Sequence, residues 1–333
     1  MYPITKISAL KNTENELRAV LDFHALWYNN QTTIEVNTSG STGKPKQITI
    51  EKEYMLSSAR ATNKFFNLTE NLTATISLSA NNIAGMMMLV RVFDSKMKLI
   101  VTPTSTTFYE DIDQEIDFAA LVPLQITQLI KSDKRDFFKC IIIGGAPISH
   151  SLEENIIISG LNCFATYGMT ETLSHVALRQ LSTRKEPFSA LDGIDFTSEN
   201  GQLVINAPRL GIANMKTNDV VELLDSKHFN WLGRVDFAIN SGGKKFHPEI
   251  IEAKIKTIIS CELIVFGQPH EQLGEQICLV VEAPTVDTIK LRMQLIEILD
   301  EHEIPRLIYF TPNFNYLNNL KIDRKETLIN LKL

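Results

Sequence analysis

A chain of 333 residues is long for one hydrophobic core and suits two domains. With 44% hydrophobic and 22% charged residues it has the composition of an ordinary globular protein. A formal net charge of −6, with no Lys/Arg run to reverse it, excludes nucleic acid as the main partner. The first twenty residues hold no apolar stretch of signal-peptide length, and the longest apolar run, residues 83–90, meets Arg91 well short of a bilayer span. The expectation is a cytoplasmic protein without membrane insertion. Cys140, Cys163, Cys261 and Cys278 lack paired spacing, and the seven histidines form no pair of the His-Glu-x-x-His type.

The first informative stretch along the chain is Thr38-Ser39-Gly40-Ser41-Thr42-Gly43-Lys44-Pro45-Lys46, flanked by apolar-leaning residues Ile34, Val36, Ile48 and Ile50. Such a loop can wrap a polyphosphate: glycines admit backbone N–H groups to phosphate oxygens, hydroxyls donate, and lysines supply charge. It is not the Walker pattern, because Gly43-Lys44 is followed by proline. Taken alone, it reads equally as a Ser/Thr/Gly turn between two strands.

From residue 73 the pattern alternates. Strands are expected at 73–79, 97–102, 118–122, 139–143 and 161–166, and helices at 82–93, 123–131 and 149–158. Short apolar strands alternating with amphipathic helices predict a buried parallel sheet with right-handed crossovers, whose ligands sit at the strands' carboxyl ends. Two polar loops fall there, Gly144-Gly145-Ala146-Pro147 and Tyr167-Gly168-Met169-Thr170-Glu171. Past residue 172, strands at 174–179, 202–206 and 219–224 suggest an antiparallel, partly barrel-like subdomain. After Asp236 come a helix at 248–258 with proline in its first turn, strands at 263–266, 277–281 and 307–310, and a helix at 288–299. The predicted fold is therefore α/β: a large N-terminal domain over 1–235, with a parallel sheet and an antiparallel subdomain, and a small α+β domain over 236–333.

Six motifs occur in a fixed order. After the Ser/Thr/Gly loop come GGAPIS (144–149), YGMTET (167–172), MKTNDVVELL (215–224), LGRVDFAINSGGKKFHPEIIE (232–252) and LNNLKIDRKE (317–326). This series resembles the adenylate-forming superfamily of acyl-CoA synthetases, nonribosomal peptide adenylation domains and luciferases, over residues 34 to 330. The resemblance implies a mobile C-terminal domain with ATP bound between the two domains.

It also implies roles for individual residues. Thr38, Ser39, Gly40, Ser41, Thr42, Gly43, Lys44 and Lys46 would grip the pyrophosphate. Gly144, Gly145 and Ala146 would lie along the adenine edge, and Tyr167, followed by Gly168, would stack on the base. Thr170 would donate to a phosphate oxygen and Glu171 would hold Mg²⁺, a hard oxygen for a hard cation. Asp219 would accept both ribose hydroxyls, although Asn218 replaces the usual preceding glycine; asparagine also visits left-handed backbone angles. Arg234 would reach ribose or phosphate, and Asp236 would be the hinge. Ser241, Gly242 and Gly243 would leave room for a pantetheine arm, and Lys244 and Lys245 would meet CoA phosphates or stand solvated. Lys321 would enter the site for adenylation and stabilise charge at the α-phosphate; Leu320 stands where the family has glycine.

Only 37 residues precede the phosphate loop, where family members usually carry well over a hundred, so one subdomain and part of the acyl pocket wall are expected to be absent. The short o-succinylbenzoate–CoA ligases of menaquinone synthesis are similar in this respect. They too carry an arginine on the helix matching residues 83–91, which makes Gly85 and Arg91 the substrate candidates. Arg91 inside an apolar run costs desolvation unless an anion meets it; the alternative is pairing with Asp94 at i+3. The expected activity is ligation of a small carboxylic acid, foremost o-succinylbenzoate, to CoA at the expense of Mg·ATP. The rivals are another aryl or short-chain acid, a carrier-protein thiol as acceptor, or a lapsed nucleotide-binding protein. A homo-oligomer is compatible with all of these.

Overall fold

A computed structural model of the chain describes residues 1–38, 46–183, 185–259, 261–284, 287–316 and 322–332. The first half runs β1 (Ile7–Ala9), α1 (Glu14–Trp27), the hairpin β2 (Thr33–Thr38) and β3 (Lys46–Glu51), α2 (Lys52–Phe65), β4 (Thr73–Ile76), α3 (Ile83–Ser95) and β5 (Lys98–Val101). It continues with β6 (Phe118–Leu121), α4 (Pro123–Leu129), β7 (Ile141–Ile143), α5 (His150–Ser159) and β8 (Cys163–Gly168). Strands β1, β5, β4, β6, β7 and β8 lie side by side in that order and are parallel. Every residue of β6 and β7 is buried, as expected of strands covered on both faces by helices. Local chemistry delimits these helices: α4 opens on Pro123, and α5 starts at Ser149, whose hydroxyl accepts the Leu152 N–H, and ends at Gly160 with φ +73°.

The antiparallel strands do not form a separate sheet. Strands β9 (His175–Gln180), β10 (Phe188–Ala190), β11 (Asp195–Glu199), β12 (Gln202–Ala207), β13 (Ile212–Leu223) and β14 (His228–Arg234) extend the parallel sheet in the order β8-β9-β10-β14-β13-β12-β11, giving twelve strands in all. Direction reverses between β8 and β9, where a register shift falls between Tyr167 and Gly168. A Cβ on Gly168 would lie 2.2 Å from the Ser174 carbonyl oxygen, so only glycine permits this approach.

Helix α3 is the centre of the larger core. Its nine residues from Gly85 to Phe93 are all buried. The N-terminal segment covers Phe93: Tyr2 lies at 5.0 Å and His24 edge-on at 5.5 Å between ring centroids, and the Tyr2 hydroxyl donates to the Met97 carbonyl at 2.7 Å. Helix α2 flanks α3, with the Asn63 amide donating to the Arg91 carbonyl and to Asp94.

A second sheet has its own core. Strands β15 (Ile239–Ser241) and β16 (Lys244–Phe246), helix α6 (Pro248–Ile255), β17 (Leu263–His270), β18 (Gly274–Glu282), α7 (Thr288–Ile298), β19 (Leu307–Thr311) and α8 (Arg324–Asn330) complete the chain. The sheet order is β16-β15-β18-β17, with β19 parallel beside β18. Arg324 ties this unit together. Its guanidinium makes a bidentate pair with Glu252 at 3.0 and 2.6 Å, donates to the Val265 carbonyl at 2.7 Å, and stacks over Phe237 at 4.9 Å. Both partners of the ion pair are shielded from solvent, so removing one strands the other charge. Arg324→Ala is expected to cost about 3–5 kcal/mol in urea unfolding; a change within experimental error would remove Arg324 as the organiser of this unit.

Candidate active site

The carboxyl ends of β7 and β8 and the facing ends of β13 and β14 bring together the 144–146 loop, Tyr167, Gly168, Asp219 and Arg234. Asp219 on β13 is 6% exposed, and its two carboxylate oxygens take different donors. The Tyr167 hydroxyl donates to Oδ2 at 2.7 Å and the Trp231 indole Nε1–H donates to Oδ1 at 3.1 Å. Burial first, and the Asp219 carboxylate next, push the Tyr167 phenol well above its ordinary value, so it stays a proton donor at any physiological pH. The Tyr167 ring is half-buried, edge-on to Phe229 at 5.1 Å and tilted against Phe188 at 5.9 Å.

Arg234 is the cross-strand partner of Asp219 in the ladder. Its Nη2 donates to Asp236 Oδ2 at 2.5 Å, and the Asn218 amide reaches the same oxygen at 3.4 Å. Burial opposes the Arg234 charge, but the Asp236 hydrogen bond and the Asp219 and Asp236 charges outweigh it and hold the group above its ordinary value. Asn218 lies within the extended β13 and has no positive φ. The glycine usual at this position is therefore dispensable here because the backbone is ordinary, not because asparagine tolerates a left-handed angle.

The glycines of the 144–146 loop have separate reasons. A Cβ on Gly144 would lie 2.3 Å from the Thr166 hydroxyl, so its absence lets β7 close against β8, and Gly145 needs its φ of +82°. On the other wall, Thr170 opens a short 3-10 turn and Glu171 is exposed, with no hydrogen bond or ion pair to the described residues. No cluster of three or more metal-ligating side chains occurs among the described residues. One carboxylate free of protein partners nevertheless suits Mg²⁺, which is commonly held by one or two carboxylates plus substrate phosphates.

Arg91 on α3 is 2% exposed and is the largest fully buried side chain. Its Nη2 donates to the Ser174 hydroxyl at 2.6 Å and lies 3.4 Å from His175 Nδ1, and its Nε has no partner. Burial, then the Arg91 charge, keeps His175 well below its ordinary value and hence neutral. Asp94 does not pair with Arg91; it takes Arg60 Nε at 3.1 Å and the Asn63 amide. Burial lowers Arg91 to about 9, which still leaves it charged at neutral pH. A buried cation with only neutral partners thus sits about two turns into α3, whose first turn contains Gly85. A Cβ on Gly85 would meet the Ser79 carbonyl oxygen at 2.1 Å, so this glycine serves close packing of the helix start on the preceding loop.

In the second sheet, Ser241, Gly242, Gly243 and Lys244 form the β15–β16 turn, with φ of +58° and +76° at the two glycines and Lys244 exposed. Asp236 lies in the short 3-10 turn between the two sheets. Ser39 to Pro45 and Lys321 lie outside the described residues; Thr38 and Lys46 are the last register pair of the β2–β3 hairpin. Sequence reasoning missed Trp231. The only signal available was a tryptophan three residues before Arg234 on a strand facing Asp219.

The AMP-binding enzyme family model matches residues 30–196, half of the chain. The 2-succinylbenzoate–CoA ligase of Escherichia coli K12 is 24% identical over 234 residues, which are 66% of this chain and 51% of that protein. The chain thus spans about half the length of that protein, and 57% of the 2-succinylbenzoate–CoA ligase of Haemophilus influenzae. Among solved structures, an acyl-CoA synthetase (AMP-forming)/AMP-acid ligase II-like protein from Dyadobacter fermentans is 30% identical, with a TM-score of 0.64 over 97% of this chain and 96% of that one. The o-succinylbenzoate CoA synthetase of Bacillus subtilis in complex with its acyl-adenylate intermediate shares the fold, with a TM-score of 0.73 at 21% identity over 89% of this chain and 69% of that one. With the family model over half the chain and a 30% identical structure of matching extent, this chain belongs to the AMP-binding enzyme family.

Proposed function

We propose that this protein is an acid–thiol ligase that activates a carboxylic acid as its acyl adenylate and transfers the acyl group to CoA, with o-succinylbenzoate as the acid. The carrying observation is Arg91, a buried guanidinium with neutral partners only. Desolvated charge of this kind is costly unless an anion completes it. A substrate with a second carboxylate, remote from the one activated, supplies that anion. The curated relatives named 2-succinylbenzoate–CoA ligase act on such a diacid by their names.

In the first half-reaction the substrate carboxylate oxygen attacks the α-phosphorus of ATP and the bond to pyrophosphate breaks. Asp219, oriented by Tyr167 and Trp231, fixes the ribose; Arg234 faces the phosphates; the 38–46 loop holds and releases pyrophosphate. Mg²⁺, held by Glu171 and the phosphates, would neutralise charge on the departing oxygens. Lys321 stabilises the charge shared between carboxylate and α-phosphate. In the second, the CoA sulfur attacks the acyl carbonyl and the bond to AMP breaks. Residues 1–235 and 236–333 act as two domains hinged at Asp236, whose turn brings the Ser241–Gly243 hairpin and Lys244 towards the thiol. Among the described residues no strand pairs across the two sheets, which supports this division.

Mass-spectrometric detection of thioester from Mg·ATP, CoA and a panel of acids tests the reading. Product with o-succinylbenzoate supports it; product with another acid alone discards the diacid assignment, and pyrophosphate exchange without thioester points to a different thiol acceptor. Lys321→Ala is expected to abolish adenylation while sparing thioester formation from supplied acyl-AMP, and equal loss of both steps would sink this division of labour. Arg91→Met should leave urea stability within about 1 kcal/mol, since replacing a buried charge by an apolar group is often neutral. The same change should lower kcat/KM for o-succinylbenzoate about a hundredfold; loss of stability with kcat/KM retained would make Arg91 structural. Trp231→Phe should raise KM for ATP by about tenfold or more with kcat little changed, the size of one hydrogen bond to a charged group. An unchanged KM would remove Trp231 from nucleotide binding.

A further inference from the structure

Away from the nucleotide-facing edge, a cleft of about 450 Å³ opens between α2 and the loops of the antiparallel strands. Ser58, Arg60 and Lys64 line it from α2, Asp192 and Arg209 from the facing loops, and His175 from β9. Ser57, Arg60 and Lys64 recur at helical spacing, so one face of α2 makes the wall. Three cations face a single carboxylate, and His175 is kept neutral by burial and by Arg91. In a chain of net charge −6, this is a local inversion of sign.

Asp192 takes Lys64 Nζ at 2.8 Å and Arg209 Nη1 at 3.9 Å, and Arg60 pairs through Nε with Asp94, outside the cleft, so three cations meet two carboxylates and one positive charge remains in excess. The Arg209 stem passes Gly193, which has φ +78° and whose absent Cβ would lie 3.3 Å from Arg209 Cδ. A second, independent observation concerns Ser58. It is 3% exposed, lines the cleft, and its hydroxyl has no hydrogen-bond partner. Buried hydroxyls are normally satisfied, and an orphan at the floor of a cationic cleft marks the place of an absent acceptor.

We propose that this cleft is a binding site for a small polyanion bearing phosphate or carboxylate groups, with Arg60, Lys64 and Arg209 as charge partners and Ser58 as a hydroxyl donor. Its concavity and volume suit a small molecule, not a macromolecular face. His175 belongs to the cleft wall and also lies 3.4 Å from Arg91, so the site adjoins the proposed acid pocket without sharing its cation.

Isothermal titration calorimetry of the full chain with inorganic phosphate and, separately, citrate tests the proposal at low ionic strength. The wild type should bind at least one probe, and the Lys64→Gln/Arg209→Gln double variant should bind it at least about tenfold more weakly. Asp219→Ala, which alters the nucleotide edge, should bind the probe as the wild type does. Phosphate alone or citrate alone binding would each support the site and identify its ligand class. No binding of either probe by the wild type, an unweakened double variant, or loss of binding in Asp219→Ala would each overturn it. The substituted side chains are 74% and 72% exposed, so folding should be preserved, as matching Tm values would verify.

Discussion

The Asp219 carboxylate is the point on which the geometry of the candidate site depends. Its two oxygens collect one donor from β8 and one from β14 while the residue itself sits on β13. Three strands from both halves of the twelve-stranded sheet thereby meet at one buried charge. The reversal of strand direction at β8–β9 makes this possible, because it folds the later strands back so that β13 and β14 face the carboxyl edge of the parallel ones. Ligands of open α/β sheets gather at that edge. The donors are well suited to holding an acceptor: an indole N–H cannot accept, and the Tyr167 phenol keeps its proton. Each carboxylate oxygen has a second lone pair, so the acid remains able to receive two hydroxyls from a ligand.

Arg324 plays the corresponding part in the second sheet. Its fork is taken by Glu252 of α6 and its remaining reach by β17 and Phe237. Asp323 caps α8 by accepting the Glu326 N–H.

Much of this architecture was legible in the sequence. The alternation from 73 to 166 matches β4 through β8 with boundaries off by one to three residues, because fully apolar strands and capped helices announce themselves. Helices α1 and α2 were not read, since their polar faces dominate and few of their residues are buried. Of the antiparallel strands, β9, β12 and the end of β13 were recognised, while β10, β11 and β14 were not; nor was their continuity with the parallel sheet, because pairing between distant segments leaves no local mark. At the site, motif order located Tyr167, Asp219 and Arg234 beside one another. Trp231 was missed for a different reason: its role rests on a cross-strand neighbour, not on its own motif. The possible Arg91–Asp94 pair at i+3 failed for a third, as α2 supplies Asp94 with Arg60 and Asn63 instead.

The environment of Arg91 follows from how the short N-terminal segment is used. Tyr2 and helix α1 cover Phe93, α2 covers the adjacent flank, and β9 closes the end where Ser174 and His175 lie. Helix α3 is consequently buried on every face from Gly85 to Phe93, and water cannot screen the Arg91 charge. In such surroundings a leucine or methionine would pack as well without the desolvation cost, as its neighbours Met86, Met87 and Met88 do. A guanidinium kept there has Nε unpartnered and only a hydroxyl and a neutral imidazole at its tip, a set that the proposed diacid would complete. Under that proposal the same absence of screening would separate a diacid from a monoacid, because a ligand lacking the second anion would leave the charge as costly as before.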